Sequence, residues 1–106
     1  MQEIKEKLRE LATLLQAGGE SDFAHTIDKA LKTGEAAITD LLVSNDLWGG
    51  AGSIADQALI RNKELRKQLQ HVLIELGELQ QKIGKVNVRT EMWTSIFKEW
   101  RDQDTA

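Results

Sequence analysis

Apolar residues recur at spacings of three and four along most of the chain, which is the period of an amphipathic α-helix. Strand-like alternation is scarce, and proline, which interrupts helices, is absent. The first such stretch predicts a helix from Gln2 to Ala17 that ends at Gly18-Gly19, where a glycine can adopt the left-handed conformation. The residues predicted on its apolar face are Ile4, Leu8, Leu11, Ala12 and Leu15.

Two shorter helices are predicted next. The first begins at a cap formed by Ser21 or Asp22 and ends at Thr33-Gly34. The second runs from about Glu35 to Val43, after which residues 44–46 have the composition of a turn. The apolar residues expected to face inward are Phe23, Ile27, Ala30 and Leu31 in the first helix, and Ala37, Ile38, Leu41 and Leu42 in the second.

A glycine-rich corner, residues 49–53, precedes the next helical stretch. Ser53 and Asp56 form the serine-x-x-acid pattern of a helix start, in which the hydroxyl accepts a hydrogen bond from a first-turn amide. The apolar stripe then continues to Ile83, but Asn62 interrupts it. One unbroken helix would be about 30 residues long, longer than is usual. We therefore prefer a break near Asn62, with this residue capping the second piece.

The last helix follows a short connection. Gly84 ends the preceding helix, residues 86–88 connect, and Asn87 or Thr90 can cap the helix that carries Trp93, Ile96, Phe97 and Trp100 on one stripe. Residues 102–106 are expected to fray. The sequence thus predicts a single all-α domain over residues 1–106, an irregular bundle of about five to six helices with the glycine-rich corner before the long helix of the C-terminal half.

Composition narrows the class of protein. The chain has 106 residues, no cysteine and a net charge of −3, so disulfides and thiolate metal sites are excluded. Residues 20–46 carry a net −4 and residues 61–67 a net +3, a small basic cluster that fits a solvated helix face better than a phosphate-binding patch. We expect no nucleic-acid or membrane partner. A charged N-terminus without a signal peptide's apolar centre predicts a cytoplasmic location.

The glycine-rich corner is the most distinctive motif. Bare amides at Gly50 and Gly52, before a serine-capped helix, could bind an anion. A phosphate loop normally carries lysine beside its serine, however, and here Ile54 follows Ser53. We therefore favour a tight structural corner over a protein-contact or anion-binding site. Trp48, just before the corner, is expected in the core, with an exposed partner anchor as the alternative.

The titratable residues suggest no catalytic or metal site. Lys67, His71, Glu75, Glu78 and Lys82 form one polar row on the long helix. One histidine between two flanking lysines fits a solvated row of ion pairs better than a metal site, so we expect no metal and no cofactor.

The aromatic stripe of the last helix has two interpretations. A wholly internal stripe is the preferred one. If the bundle cannot cover both Trp93 and Trp100, the remaining apolar surface would serve a homodimer or another partner.

Part of the chain resembles a family of small uncharacterised bacterial proteins. The resemblance extends from about Leu8 to Asp56 and is strongest in the phrase Trp-Gly-Gly-Ala-Gly-Ser-Ile-Ala-Asp at residues 48–56. A weaker likeness covers residues 87–100. The resemblance implies a bacterial origin and a helical fold, and it implies no activity.

These observations predict a protein that is not an enzyme. The leading interpretation is a protein-binding or regulatory module, similar at class level to the small, acidic, helical immunity proteins that neutralise toxins. The alternative is a small anion- or ligand-binding protein that uses residues 49–53. The candidate partner or ligand surface comprises Trp48, Gly49, Gly50, Gly52, Ser53, Trp93 and Trp100.

Overall fold

The computed structural model describes residues 1–49, 52–57 and 62–103, and these residues form helices without any strand. The elements are α1 (Gln2–Ala17), α2 (Ser21–Thr33), α3 (Glu35–Leu42), α4 (Asn45–Trp48), α5 (Ile54–Gln57), α6 (Lys63–Ile83) and α7 (Thr90–Asp102). The predicted all-α bundle is therefore confirmed. No helix in the described part of the chain is long and apolar enough to cross a membrane.

Three of the helices form the centre of the bundle. α6 packs against α1 on one side and against α7 on the other, while α2 joins α1 to α3. α1 buries the predicted face, and Leu8, Leu11 and Leu15 are completely covered. Because the apolar stripe of each long helix faces a neighbour, a single continuous core runs between them.

The predicted boundaries of the long helices are confirmed. Gly19 has a φ of +83°, so the Gly18-Gly19 pair ends α1 with a left-handed residue. Asn62 caps α6, because its Oδ1 accepts a hydrogen bond from the Leu65 amide at 3.0 Å. At the other end, Gly84 is left-handed with a φ of 72°. Asn62 itself has an extended backbone, so the stretch after the glycine-rich corner is not one continuous helix.

Some local predictions are wrong. The N-cap of α2 is Glu20 and makes no side-chain cap bond, so neither Ser21 nor Asp22 has that role. The stretch predicted as a turn at residues 44–46 instead starts α4, where the Ser44 hydroxyl accepts a hydrogen bond from the Leu47 amide. Asp102 is the last residue of α7, and the end of the predicted frayed tail, residues 104–106, lies outside the described residues.

Gly77 lets α6 and α7 approach closely. A Cβ atom added at Gly77 would collide with the Oγ1 atom of Thr94 on α7 and would contact the Trp48 ring at 3.5 Å. Thr94 cannot easily move aside, because its hydroxyl donates to the Thr90 carbonyl at 2.7 Å. The small residue therefore sets the distance between the two helices.

We expect Gly77→Ala to destabilise the protein by about 1–3 kcal/mol through overpacking. The expected change in stability is opposite in direction to the usual helix preference, which favours alanine over glycine by about 1 kcal/mol. Urea denaturation of Gly77→Ala, Thr94→Ala and the double variant measures the effect. The double variant should lose less stability than the two single variants together, since Thr94→Ala removes the colliding atom. A stabilised Gly77→Ala protein would contradict the close approach.

Candidate functional site

Trp48 lies inside the molecule. Its side chain is 0% exposed, and its indole Nε1–H donates to Oε1 of Gln80 at 2.8 Å. The prediction of a core position is confirmed, and the exposed-anchor interpretation of Trp48 is wrong.

The hydrogen bond to Gln80 offsets the free-energy cost of burying the Trp48 indole N–H. The Gln80 side chain is buried in the last turns of α6, and its Nε2 group donates to the Leu42 carbonyl and to the Lys85 carbonyl, each at 2.9 Å. One amide thus joins the end of α3, the indole of α4 and the segment after α6. The sequence offered one sign of this role, which is that Gln80 lies four residues after Leu76 on the apolar stripe.

Asn87 makes a second connection between the same parts of the chain. Its Nδ2 group donates to the Val43 carbonyl at 2.8 Å and to Oδ1 of Asn45 at 3.0 Å. Its Oδ1 accepts from the Arg89 amide, and its backbone amide donates to the Thr90 hydroxyl. Asn87 and Thr90 therefore order the segment that leads into α7, but the predicted side-chain cap is wrong, because the N-cap is Arg89 and makes no such bond.

The glycine-rich corner is held by bonds within the chain. The Gly49 carbonyl accepts hydrogen bonds from the Ser53 hydroxyl at 2.9 Å and from Nε1 of Trp93 at 3.1 Å. The Ser53 hydroxyl also accepts from the Asp56 amide, as the capping pattern predicts. Asp56 in turn accepts from the Gly52 amide through Oδ2 at 3.0 Å.

These bonds bear directly on the predicted candidate surface. Ser53 and Gly49 are buried, so they are not part of the surface that a partner could contact. The Gly52 amide already has an anionic acceptor in Asp56, which is the role that a bound phosphate would have. Gly52 also has a φ of +86°, which explains its glycine as a structural requirement. Gly50 lies outside the described residues.

The aromatic stripe of α7 is mostly covered. Phe97 is fully buried and stacks against Trp93, with ring centroids 5.4 Å apart. Trp93 and Trp100 are half-buried and pack against the core, so each retains some exposed surface. The stripe is thus neither wholly internal nor an open apolar face.

Among the described residues, the exposed large apolar side chains lie elsewhere, around the turn between α6 and α7. Val88 is 92% exposed, and four further large apolar side chains are between 41% and 45% exposed. All five lie at the end of α3, the end of α6, the connecting turn or the first turn of α7. We call this set the junction patch: Val43, Ile83, Val86, Val88 and Met92.

Basic residues adjoin the turn valines of the junction patch in the chain. Residues 80–90 contain three basic residues and no acid, and of these Lys85 and Arg89 lie beside the exposed valines of the turn. Asp46 follows Asn45, whose side chain Asn87 binds, and lines the groove between α2 and α3. The structure gives Lys85, Arg89 and Asp46 no ion-pair partner among the described residues.

The predicted polar row of α6 is divided among different partners. Glu75 accepts from Lys7 of α1 at 3.0 Å and lies 3.3 Å from Nε2 of His71, whereas Glu78 pairs with Lys98 of α7. The hydrogen bond to Glu75 is the main cause that raises the pKa of Lys7. In the part of the chain that the structure describes, no group of three or more acidic or histidine side chains is arranged to hold a metal ion.

An open groove of about 640 Å³ lies between α1 and α6. Leu14 and Val72 contribute its apolar part, and Arg9, Lys67 and His71 are among its polar lining residues. Six of its eight lining residues are polar, yet most of the surface that they present to the groove is apolar. It brings together none of the residues of the predicted candidate surface.

No protein-family model matches the chain, and comparisons with curated proteins and with solved structures give no match. The resemblance to a bacterial family therefore stays a prediction. The junction patch and the buried amide side chains of Gln80 and Asn87 are the features that bear on function.

We expect Gln80→Leu to destabilise the protein by about 2–4 kcal/mol. Leucine fills a similar volume but leaves the buried Trp48 N–H and the Leu42 carbonyl without partners, at about 1–3 kcal/mol for each group. Gln81→Leu is the matched control, since Gln81 is the exposed neighbour, and it should change stability by less than about 0.5 kcal/mol. Equal unfolding free energies for the two variants, measured by chemical denaturation, would show that the amide is dispensable.

Proposed function

We propose that this protein is a non-enzymatic binding module whose junction patch contacts another protein chain. The exposure of Val88 carries this proposal, because a β-branched apolar side chain that is 92% exposed, with four apolar neighbours in the same region, is a typical contact surface. Covering Val88 fully in an interface would contribute about 1.5 kcal/mol from apolar burial alone.

The segments beneath the patch are well anchored. Asn87 lies between Val86 and Val88 and binds both the Val43 carbonyl and the Asn45 side chain. Gln80 holds the Lys85 carbonyl at the start of the same turn. A surface that is ordered before binding loses less conformational entropy when a partner covers it, which favours recognition.

The proposal extends the class-level analogy to bacterial immunity proteins, which neutralise a toxin by covering it. By this analogy, the proposed protein is a cytoplasmic regulator that acts through contact between protein surfaces. The anion-binding alternative has less support, because the Ser53 hydroxyl and the Gly52 amide already bind groups of the chain itself.

The test places a photo-crosslinking amino acid at Val88 in one version of the protein and at Ser95 in another. Ser95 is the control because it lies on the exposed side of α7, whose first turn carries Met92 of the patch. We expect crosslinks to a defined protein from position 88, and few or none from position 95. Val88→Asp should abolish the association and leave the unfolding free energy within about 0.5 kcal/mol of wild type.

Crosslinking that is equally weak at both positions in the native cells would contradict the proposal. So would a partner that binds the Val88→Asp variant as tightly as the wild-type protein.

A further inference from the structure

We infer that the groove between α1 and α6 binds a small amphiphilic anion, namely one carboxylate carried on an unbranched hydrocarbon chain. This groove shares no residue with the junction patch. A ligand in the groove would therefore be independent of the proposed protein contact, and either assignment can fail without the other. The protein would then carry a small molecule on one surface and contact another chain through a second surface.

The groove has a size and shape suited to an elongated ligand. Its volume of about 640 Å³ lies within the range of about 300–1,000 Å³ that is typical of small-molecule sites. The two helices run antiparallel beside it. Leu14, near the end of α1, lines the groove together with Lys67, near the start of α6, whereas the opposite ends of the two helices share a second groove. Each helix contributes residues from more than one turn, so a chain that follows the groove contacts both helices.

Most of the surface inside the groove is apolar. Leu14, which is half-buried against the core, and the buried Val72 provide its apolar side chains. Because the other six lining residues are polar, methylene groups of side chains such as Arg9 and Lys67 supply part of the apolar surface. No phenylalanine or tryptophan is among the described residues that line the groove, so an aromatic ligand finds no ring to stack on. The groove therefore suits an aliphatic chain.

The charges of the groove favour an anionic ligand. Glu10, the single acid among the described lining residues, pairs with Lys7 at 3.3 Å. Arg9 lines the same groove and has no ion-pair partner among the described residues. A guanidinium group can donate two parallel N–H bonds to one carboxylate, which makes Arg9 the group that would bind the head of the ligand.

Lys7 also disfavours a cationic ligand. It binds Glu10 and, at 3.0 Å, Glu75, which in turn lies 3.3 Å from Nε2 of His71, a lining residue of the groove. The hydrogen bond to Glu75 raises the pKa of Lys7, so this ammonium group stays charged at neutral pH. A cationic amphiphile would have to displace Lys7 from both carboxylates, whereas an anionic one leaves these pairs intact.

An anionic membrane surface fits the groove less well than a free carboxylate does. Segments that bind a bilayer surface insert protruding aromatic and leucine side chains. Here the apolar side chains are recessed, since Val72 is buried and Leu14 is half-buried, and polar residues such as Gln68 line the groove with them. A single chain can enter such a recess, whereas the chains of a packed bilayer cannot.

Titration with sodium octanoate, followed by two-dimensional NMR of the isotope-labelled protein, tests the assignment. We expect saturable shifts at the backbone amides of residues 9–14 and 67–72. Octylammonium, which has the same chain and the opposite charge, should bind about fivefold more weakly or worse, and acetate, which lacks the chain, should not saturate. From hexanoate to decanoate each added CH₂ should tighten binding about twofold, since the open groove leaves one side of the chain in water, whereas complete burial would give about fourfold.

Arg9→Gln removes the proposed contact with the carboxylate. It should weaken octanoate binding about threefold or more and leave the affinity for uncharged octanol unchanged. Arg89→Gln is the matched control, because Arg89 is also exposed and without an ion-pair partner among the described residues, but it lies next to Val88 of the junction patch. This control should bind octanoate like the wild-type protein. Thr13→Glu places a carboxylate at an exposed lining position, so it should also weaken octanoate binding without lowering the melting temperature.

Equal affinities of Arg9→Gln and Arg89→Gln for octanoate would overturn the inference, and so would octylammonium that binds as tightly as octanoate, or shifts that do not saturate. Shifts confined to residues 83–92 would place the chain on the junction patch, so the groove assignment would be wrong and the proposed function would stand. A protein that binds vesicles of phosphatidylglycerol through the groove amides, but does not bind free octanoate, would also contradict the single-chain ligand.

Discussion

The structure depends on one buried amide. Gln80 offers one carbonyl oxygen and one amino group, and the fold uses both, for the Trp48 indole and for two backbone carbonyls. A buried polar group without a partner is costly, whereas a fully bonded one fixes a single arrangement of the elements around it. The ends of α3, α4 and α6 therefore meet in a defined way rather than through apolar contact alone.

The other features of this end of the molecule follow from that constraint. The Trp48 ring also lies beside Gly77, the residue at which Thr94 of α7 approaches α6 closely. Asn87 then ties the following turn to the end of α3, so Val86 and Val88 are exposed on an ordered segment rather than on a loose one. The proposed contact surface is thus a consequence of how the core closes.

Sequence periodicity was sufficient to predict the long helices, because an apolar stripe with glycine or asparagine at its ends is a local pattern. It predicted α1, the break at Asn62 and the end of α6 at Gly84. It missed α4, a single turn too short for periodicity, and it missed the partners of Gln80 and Asn87, which lie 38 and 44 residues away in the chain. Bonds over such distances depend on tertiary structure and leave no local pattern.

The candidate site likewise has features that the local sequence predicts and features that depend on tertiary structure. The sequence favoured a core position for Trp48 and a structural corner at residues 49–53. It also suggested Gly49 and Ser53 as candidate surface residues, and both are buried. For Val86 and Val88 the sequence predicts only a connection between helices. Their exposure is decided by where Asn87 anchors the turn, and that anchor could not be inferred from residue types.

Hydrogen exchange at the tryptophan indoles, measured by NMR, tests the central claim most directly. If Gln80 closes the end of the bundle, the Trp48 indole N–H should exchange only when the whole protein unfolds, so that its exchange free energy equals the unfolding free energy from denaturation. The half-buried Trp93 indole should exchange through smaller openings and therefore faster. A Trp48 indole that exchanges as fast as that of Trp93, with a free energy well below that of global unfolding, would contradict the account.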